Sequence, residues 1–160
     1  MRPRASDSGS LTLENGVLGY ATAGGVNWRV AVSDLAVIGE HTNANGPYLD
    51  DYVLVFLDRN GGWFEAPVYA ERQAAVWREL SALLGAPLSL ALCNSVEVRG
   101  RVVWPVELCE KPLFNFDVQR PVGRGRLLLR LLGSAQIVRS PSAAVSAHLQ
   151  RCASTGQSDA

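Results

Sequence analysis

Two stretches of this sequence gather side chains that do chemistry. The first is Glu40-His41 with Asp50-Asp51, three carboxylates and one imidazole within twelve positions. Carboxylates beside a histidine suit a metal ion or general acid–base work, provided the flanking strands pair and bring the two dipeptides together. The residues between them imitate a calcium loop, with Asn43, Asn45 and Gly46 at the third, fifth and sixth places counted from His41. An EF-hand needs an acid at the first place and a bidentate glutamate at the twelfth. Those places hold His41 and Tyr52, so the motif fails. The plainer account is turn chemistry, in which Asn and Gly bend the chain and the aspartates keep the bend hydrated.

The second stretch is basic. Arg120, Arg124, Arg126 and Arg130 lie within eleven positions that contain no acid. The whole chain of 160 residues is neutral, with fifteen basic and fifteen acidic residues. That balance excludes a generally basic nucleic-acid binder. The charge is unevenly spread, however. Residues 1–117 hold nine basic and fourteen acidic residues, a formal −5, and residues 118–160 hold six basic and one acidic, a formal +5. Such an arm suits an acidic protein or an anionic membrane surface. The competing account is that it packs on the domain's own acidic surface.

Other chemistries fit less well. Cys93, Cys109 and Ser95 are available nucleophiles, and His41 and His148 are the histidines. No serine sits in a G-x-S-x-G elbow. Cys93 extends an apolar alternation, the wrong setting for a reactive thiol. Three cysteines without a CxxC spacing argue against a disulfide framework or a zinc site. Gly123-Arg124-Gly125 lacks the G-K-[ST] ending of a phosphate loop. Trp28, Trp63, Trp77 and Trp104 are expected in the core, and no RNP-like run supports RNA binding. No cofactor is implied.

The elements that must position these residues follow from periodicity. Met1–Ser10 is polar and reads as a disordered arm. Asn15-Gly16 signals a hairpin turn within Leu11–Thr22. Trp28, Val30 and Val32 alternate as one face of a strand, and a straight continuation would put Asp34 on that face. A break at Ser33-Asp34 removes the conflict. Tyr52–Leu57 is apolar on both faces, as a covered central strand is, and Asn60-Gly61-Gly62 turns it into Trp63–Tyr69. Glu71–Leu84 is the strongest helix, with Val76, Leu80, Leu83, Leu84 and Trp77 inward and Gly85 and Pro87 as its stop. Leu88, Leu90 and Leu92 alternate as a strand, Val102, Trp104 and Val106 as another, and Phe114 and Phe116 mark a short edge strand. Arg126–Val138 reads as a basic amphipathic helix, although Leu127–Leu132 also suits a strand. Ser140-Pro141 opens a C-terminal helix with Val145, His148 and Leu149, and residues 154–160 are a polar tail.

The sum is an α+β protein: an antiparallel sheet or partly closed β-barrel, one amphipathic helix packed on it, and a helical C-terminal arm. Residues 11–118 form the single domain and 119–153 the arm. At this length a domain buries about 70% of its unfolded surface, enough for a core without staples. No apolar run approaches the roughly 20 residues of a membrane span, and no secretory h-region follows Met1, so a cytoplasmic protein is expected.

Trp28, Asp34, Ile38-Gly39-Glu40, Thr42, Gly46-Pro47, Asp50-Asp51-Tyr52 and then Val103-Trp104-Pro105 follow one another along the chain. In this run the chain resembles small uncharacterised bacterial proteins with a W…D…IGE.T…GP…DDY pattern and an LWP-type strand. That resemblance implies no activity. The strand content is also similar to pleckstrin-homology-like β-barrels, with one departure: their helix closes the domain, whereas Glu71–Leu84 precedes further strands. The expected function is a non-enzymatic binding or regulatory module that contacts an anionic partner through Arg120, Arg124, Arg126 and Arg130. The alternatives are a small metal-dependent or acid–base enzyme using Glu40, His41, Asp50 and Asp51, and a structural or oligomer-forming subunit.

Overall fold

The computed structural model describes residues 8–42, 51–92, 98–119 and 136–155. Its first sheet is an antiparallel meander of β1 (Ser10–Glu14), β2 (Val17–Thr22) and β3 (Gly25–Ala31). Asn15 and Gly16 both take positive φ, at 52° and 74°, which is the turn that joins two strands at their natural twist. Ahead of β1, the Tyr20 hydroxyl donates to the Ser8 carbonyl at 3.1 Å.

The central sheet is also antiparallel, in the order β6 (Trp63–Pro67), β5 (Tyr52–Asp58), β4 (Leu35–Thr42), β7 (Gly100–Trp104). Between β3 and β4 the chain makes a short 3-10 turn at Val32–Asp34. This is the expected break, and it keeps Asp34 off the apolar face. All of β4 is buried, because layers cover both faces of this sheet. Ile38, Leu54, Phe56 and Val103 face the first sheet and α1 (Gln73–Leu84), where Leu11, Leu18, Val30, Val76 and Leu80 complete one core. Val37, Val55, Leu57 and Val102 face the other way, into a second core with Leu113, Phe114 and Val145. The second layer consists of the hairpin β8 (Phe114–Gln119) and β9 (Gln136–Pro141), followed by α2 (Ala143–Thr155).

That second layer is seated on two glycines. A Cβ on Gly39 would lie 2.7 Å from both Leu113 methyl carbons, and one on Gly100 would lie 2.7 Å from the Phe114 ring. Leu113 and Phe114 therefore rest directly on the backbone of β4 and β7. The Leu113 N–H donates to the Gly100 carbonyl at 3.1 Å, and the Ser142 N–H donates to the Leu113 carbonyl at 3.1 Å, which ties the start of α2 to the same place.

The architecture is α+β with antiparallel sheets, as composition and periodicity predict. Of the two arrangements expected, the described residues form open antiparallel sheets and not a barrel. Three details differ from expectation. Leu88–Leu92 forms no strand. The helix drawn over Arg126–Val138 fails at its end, since Gln136, Ile137 and Val138 belong to β9; residues 120–135, with Arg120, Arg124, Arg126 and Arg130, lie outside the described residues. On α1 the buried stripe is Val76, Trp77 and Leu80, with Leu84 half-buried beside it. It is centred toward Trp77, which leaves Leu83 at its edge and 59% exposed. No described helix is long and apolar enough to cross a membrane.

The two leucines on α1 separate core from edge. Leu80→Ala should cost about 2–5 kcal/mol through lost transfer energy and a cavity. Leu83→Ala should fall within about 0.5 kcal/mol of the parent, as substitutions at exposed positions do. Urea unfolding of both variants checks this, and equal losses would disprove the orientation of the helix.

Candidate functional site

Strand geometry decides the fate of the predicted quartet. Successive side chains of a strand point to opposite faces, so Glu40 and His41 cannot converge even though β4 and β5 do pair. The structure places them on opposite sides of the central sheet, each with its own partners. Asp51 is half-buried, and it accepts a hydrogen bond from the Tyr69 hydroxyl at 3.2 Å. Asp50 lies outside the described residues. Among the described residues no group of three or more His, Cys, Asp or Glu is arranged to hold a metal ion.

Glu40 is completely buried. One carboxylate oxygen accepts from the Tyr52 hydroxyl, and the other accepts from the Arg101 Nε–H and, at 3.0 Å, from the Ala91 N–H. Glu40 and Arg101 are cross-strand neighbours on β4 and β7, which puts the two charges on one face. Arg101 is itself fully engaged. Its remaining nitrogens reach Glu110 and, at 2.6 Å, the Ser89 carbonyl. A charge removed from water is tolerable only with such complete pairing.

The same network explains the missing strand at Leu88–Leu92. Leu88 and Leu90 do pack on the first core and Leu92 is buried, so their apolar spacing has a use. Their backbone, however, bonds to side chains rather than to a neighbouring strand. The Leu88 carbonyl accepts from the Trp77 indole at 3.0 Å, the Ser89 carbonyl from Arg101, and the Ala91 N–H donates to Glu40.

On the other face, His41 is buried beneath the second layer. Its Nε2 lies 3.6 Å from Glu65 Oε1 on β6 and 3.3 Å from an Arg139 guanidinium nitrogen on β9. Arg139 and Glu65 are 3.8 Å apart. The Trp63 indole donates to Glu65 at 2.8 Å, the His41 ring meets Phe114 edge-on, and the Arg139 guanidinium lies 5.8 Å from the Phe114 centroid. The carboxyl of Glu65 is held below the ordinary glutamate range. The adjoining His41 imidazole is the chief cause, burial opposes it, and Trp63 and the Arg139 charge add to the lowering. This cluster binds the β8–β9 hairpin to the central sheet, and its Glu65 and Arg139 members still touch water, at 39% and 38% side-chain exposure.

A third polar group was not foreseen. Cys152 Sγ lies 3.4 Å from His148 Nε2, one helical turn apart on α2, and His148 Nδ1 lies 3.8 Å from Glu107 Oε1. The spacing of His148 and Cys152 is the signal that would have found it, once Ala143–Thr155 is drawn as a helix. Cys109 differs in setting: its thiol donates to the Val103 carbonyl at 2.8 Å, and burial pushes its pKa up. Cys93 and Ser95 lie outside the described residues.

Compared with family models, curated proteins and solved structures, the chain matches none.

Two outcomes test the polar clusters. Arg101→Ala leaves Glu40 as a buried charge without its cation and should destabilise the fold by about 3–5 kcal/mol; a loss below about 1 kcal/mol in urea unfolding would show that Glu40 does not depend on it. Glu65 gives a pH dependence. Because its folded pKa is depressed, its contribution is complete above the unfolded value, about 4.3, and is lost as pH falls through the lower folded value. Glu65→Gln should therefore be less stable than the parent at pH 7, with the gap closing below about pH 4. A gap that persists unchanged in acid would assign the loss to packing.

Proposed function

We propose that the protein is a non-enzymatic binding or regulatory module that meets an anionic surface through the arginine-rich segment between β8 and β9. The observation that supports this most directly is the register of the hairpin, in which Gln119 pairs with Gln136. The sixteen residues between them leave and return at one end of a ladder, and they carry Arg120, Arg124, Arg126 and Arg130 with no acid. The ladder is bound to the domain at its other end through Arg139, Phe114 and Leu113. Arg139 is thus occupied by Glu65 and His41, and the reading assigns the four remaining arginines of the hairpin to a partner.

Leu127, Leu128, Leu131 and Leu132 lie among those arginines and supply apolar contact area. Such a composition suits the boundary between lipid headgroups and acyl chains. Each arginine near an anionic membrane contributes about 1 kcal/mol, so four contribute about 4 kcal/mol. A cytoplasmic, bacterial setting accords with this reading. The separation of Glu40 from His41 favours it over an enzyme built on the Glu40/His41/Asp50/Asp51 quartet.

Co-sedimentation with phosphatidylglycerol-containing vesicles tests it, with phosphatidylcholine vesicles as the neutral control. The parent should sediment with the anionic vesicles alone, and less so as salt shortens the screening length to about 10 Å at 0.1 M. Changing Arg124, Arg126 and Arg130 together to Gln removes about 3 kcal/mol and should weaken binding about a hundredfold. No sedimentation of the parent at low salt ends the membrane reading. Binding to poly-glutamate instead, sensitive to the same triple change, would transfer the site to an acidic protein.

A further inference from the structure

We propose that the cleft beside α2 is a nucleophilic thiol site, in which Cys152 attacks small electrophiles that carry a carboxylate. The cleft has a volume of about 450 Å³ and lies where the N-terminal end of β4, the C-terminal end of α1 and the middle of α2 meet. Leu35, Leu84 and Trp104 form its apolar wall, while Arg59, Glu107, His148 and Cys152 supply its polar groups. It is independent of the arginine segment.

The geometry is that of a thiol, an imidazole and a carboxylate in a row. Cys152 Sγ is 3.4 Å from His148 Nε2, and the other ring nitrogen faces Glu107 at 3.8 Å. His148 and Cys152 are four apart on α2, so the helix itself sets their approach. Glu107 comes from the 3-10 turn Val106–Leu108 that follows β7. At ion-pair distance the Glu107 charge favours the imidazolium, and Nε2, on the thiol side, is the nitrogen that takes the proton. The His148 side chain is only 12% exposed, so this proton moves away from bulk water.

The thiolate is the reacting form of cysteine. With a haloacetate, the S–C bond forms as the C–halogen bond breaks, the halide departs with the bonding pair, and the thiol proton stays on His148. The cleft's charges choose among electrophiles. Arg59 lines the cleft, is exposed and makes no ion pair among the described residues, and the proposal assigns its guanidinium to the electrophile's carboxylate. Cys109 has the Glu107 charge nearby but donates its thiol to the Val103 carbonyl, and burial raises its pKa.

The test is the alkylation rate of each cysteine in the folded chain at pH 7, read peptide by peptide by mass spectrometry, with iodoacetate and iodoacetamide as probes. Cys152 should react at least tenfold faster than Cys109, and at least tenfold faster than Cys152 in the urea-unfolded chain. His148→Gln should slow Cys152 at least tenfold, and Glu107→Gln, at an exposed position, should slow it about threefold while leaving the fold intact. Arg59→Gln should slow iodoacetate about fivefold and leave iodoacetamide unchanged. Cys152 reacting no faster than its unfolded counterpart overturns the proposal. So does a rate indifferent to both His148→Gln and Glu107→Gln in chains with the parent's circular dichroism. Equal effects of Arg59→Gln on the two probes would overturn the carboxylate preference.

Discussion

Burial of the Glu40 carboxylate constrains the rest of this fold. A charge at a wholly covered position of the central strand is tolerable only if both oxygens find donors, and those donors come from three separate stretches of chain: Tyr52 on β5, Ala91 in the segment after α1, and Arg101 on β7. Arg101 extends the requirement to Ser89 and Glu110. The pair therefore determines more than a contact. It fixes the register of β7 on β4, because a slip of one residue would turn Arg101 to the other face. It also holds Leu88–Leu92 as an irregular segment, since that segment's backbone groups are taken by side chains.

The opposite face of β4 is organised by absence of bulk rather than by charge. Gly39 and Gly100 leave room for Leu113 and Phe114 to lie on the sheet backbone. His41, Glu65 and Arg139 then close the edge of that contact. Consecutive residues Gly39, Glu40 and His41 thus do three different jobs. Gly39 seats the second layer, Glu40 anchors the sheet's own register, and His41 meets the hairpin that carries the arginine segment.

Much of the fold could be read from the sequence where local rules decide the outcome. Asn15-Gly16 and Asn60-Gly61-Gly62 give their hairpins, Asp34 demands the break that becomes a 3-10 turn, and Gly85 ends α1. The sequence failed as a guide where partners are distant. Nothing near Leu88 says that Glu40 and Arg101, remote in the chain, claim its neighbours' backbone. Leu83 has the spacing of a core residue, and only the tilt of the helix toward Trp77 exposes it. Glu40, His41, Asp50 and Asp51 are close in sequence, whereas strand alternation sends the first two apart. The thiol cleft was hidden for the same reason in reverse: Glu107 and Arg59 join His148 only through the tertiary fold.

The His41–Arg139 cluster and the thiol cleft lie at opposite ends of β4. Arg139 meets His41 near the strand's C-terminal end, and Arg59 and His148 border Leu35 at its start. Six strand steps separate Leu35 from His41, roughly 20 Å at about 3.3 Å per residue. That is about twice the screening length of roughly 10 Å in 0.1 M salt, so the Arg139 charge has little direct hold on the thiol. Coupling between the ends would have to run through packing. The available route is the second layer, because β8, β9 and α2 are joined at Leu113 and Ser142, and Val145 shares a core with Phe114. A partner that pulled on the hairpin would act on Arg139 and Phe114, then on Leu113 above Gly39, and through the Ser142 bond on the start of α2, about one and a half turns before His148. Among the described residues, the glycine-floored seat thus joins the hairpin, the start of α2 and β4 through shared contacts, and a load on the hairpin would reach the thiol cleft through it.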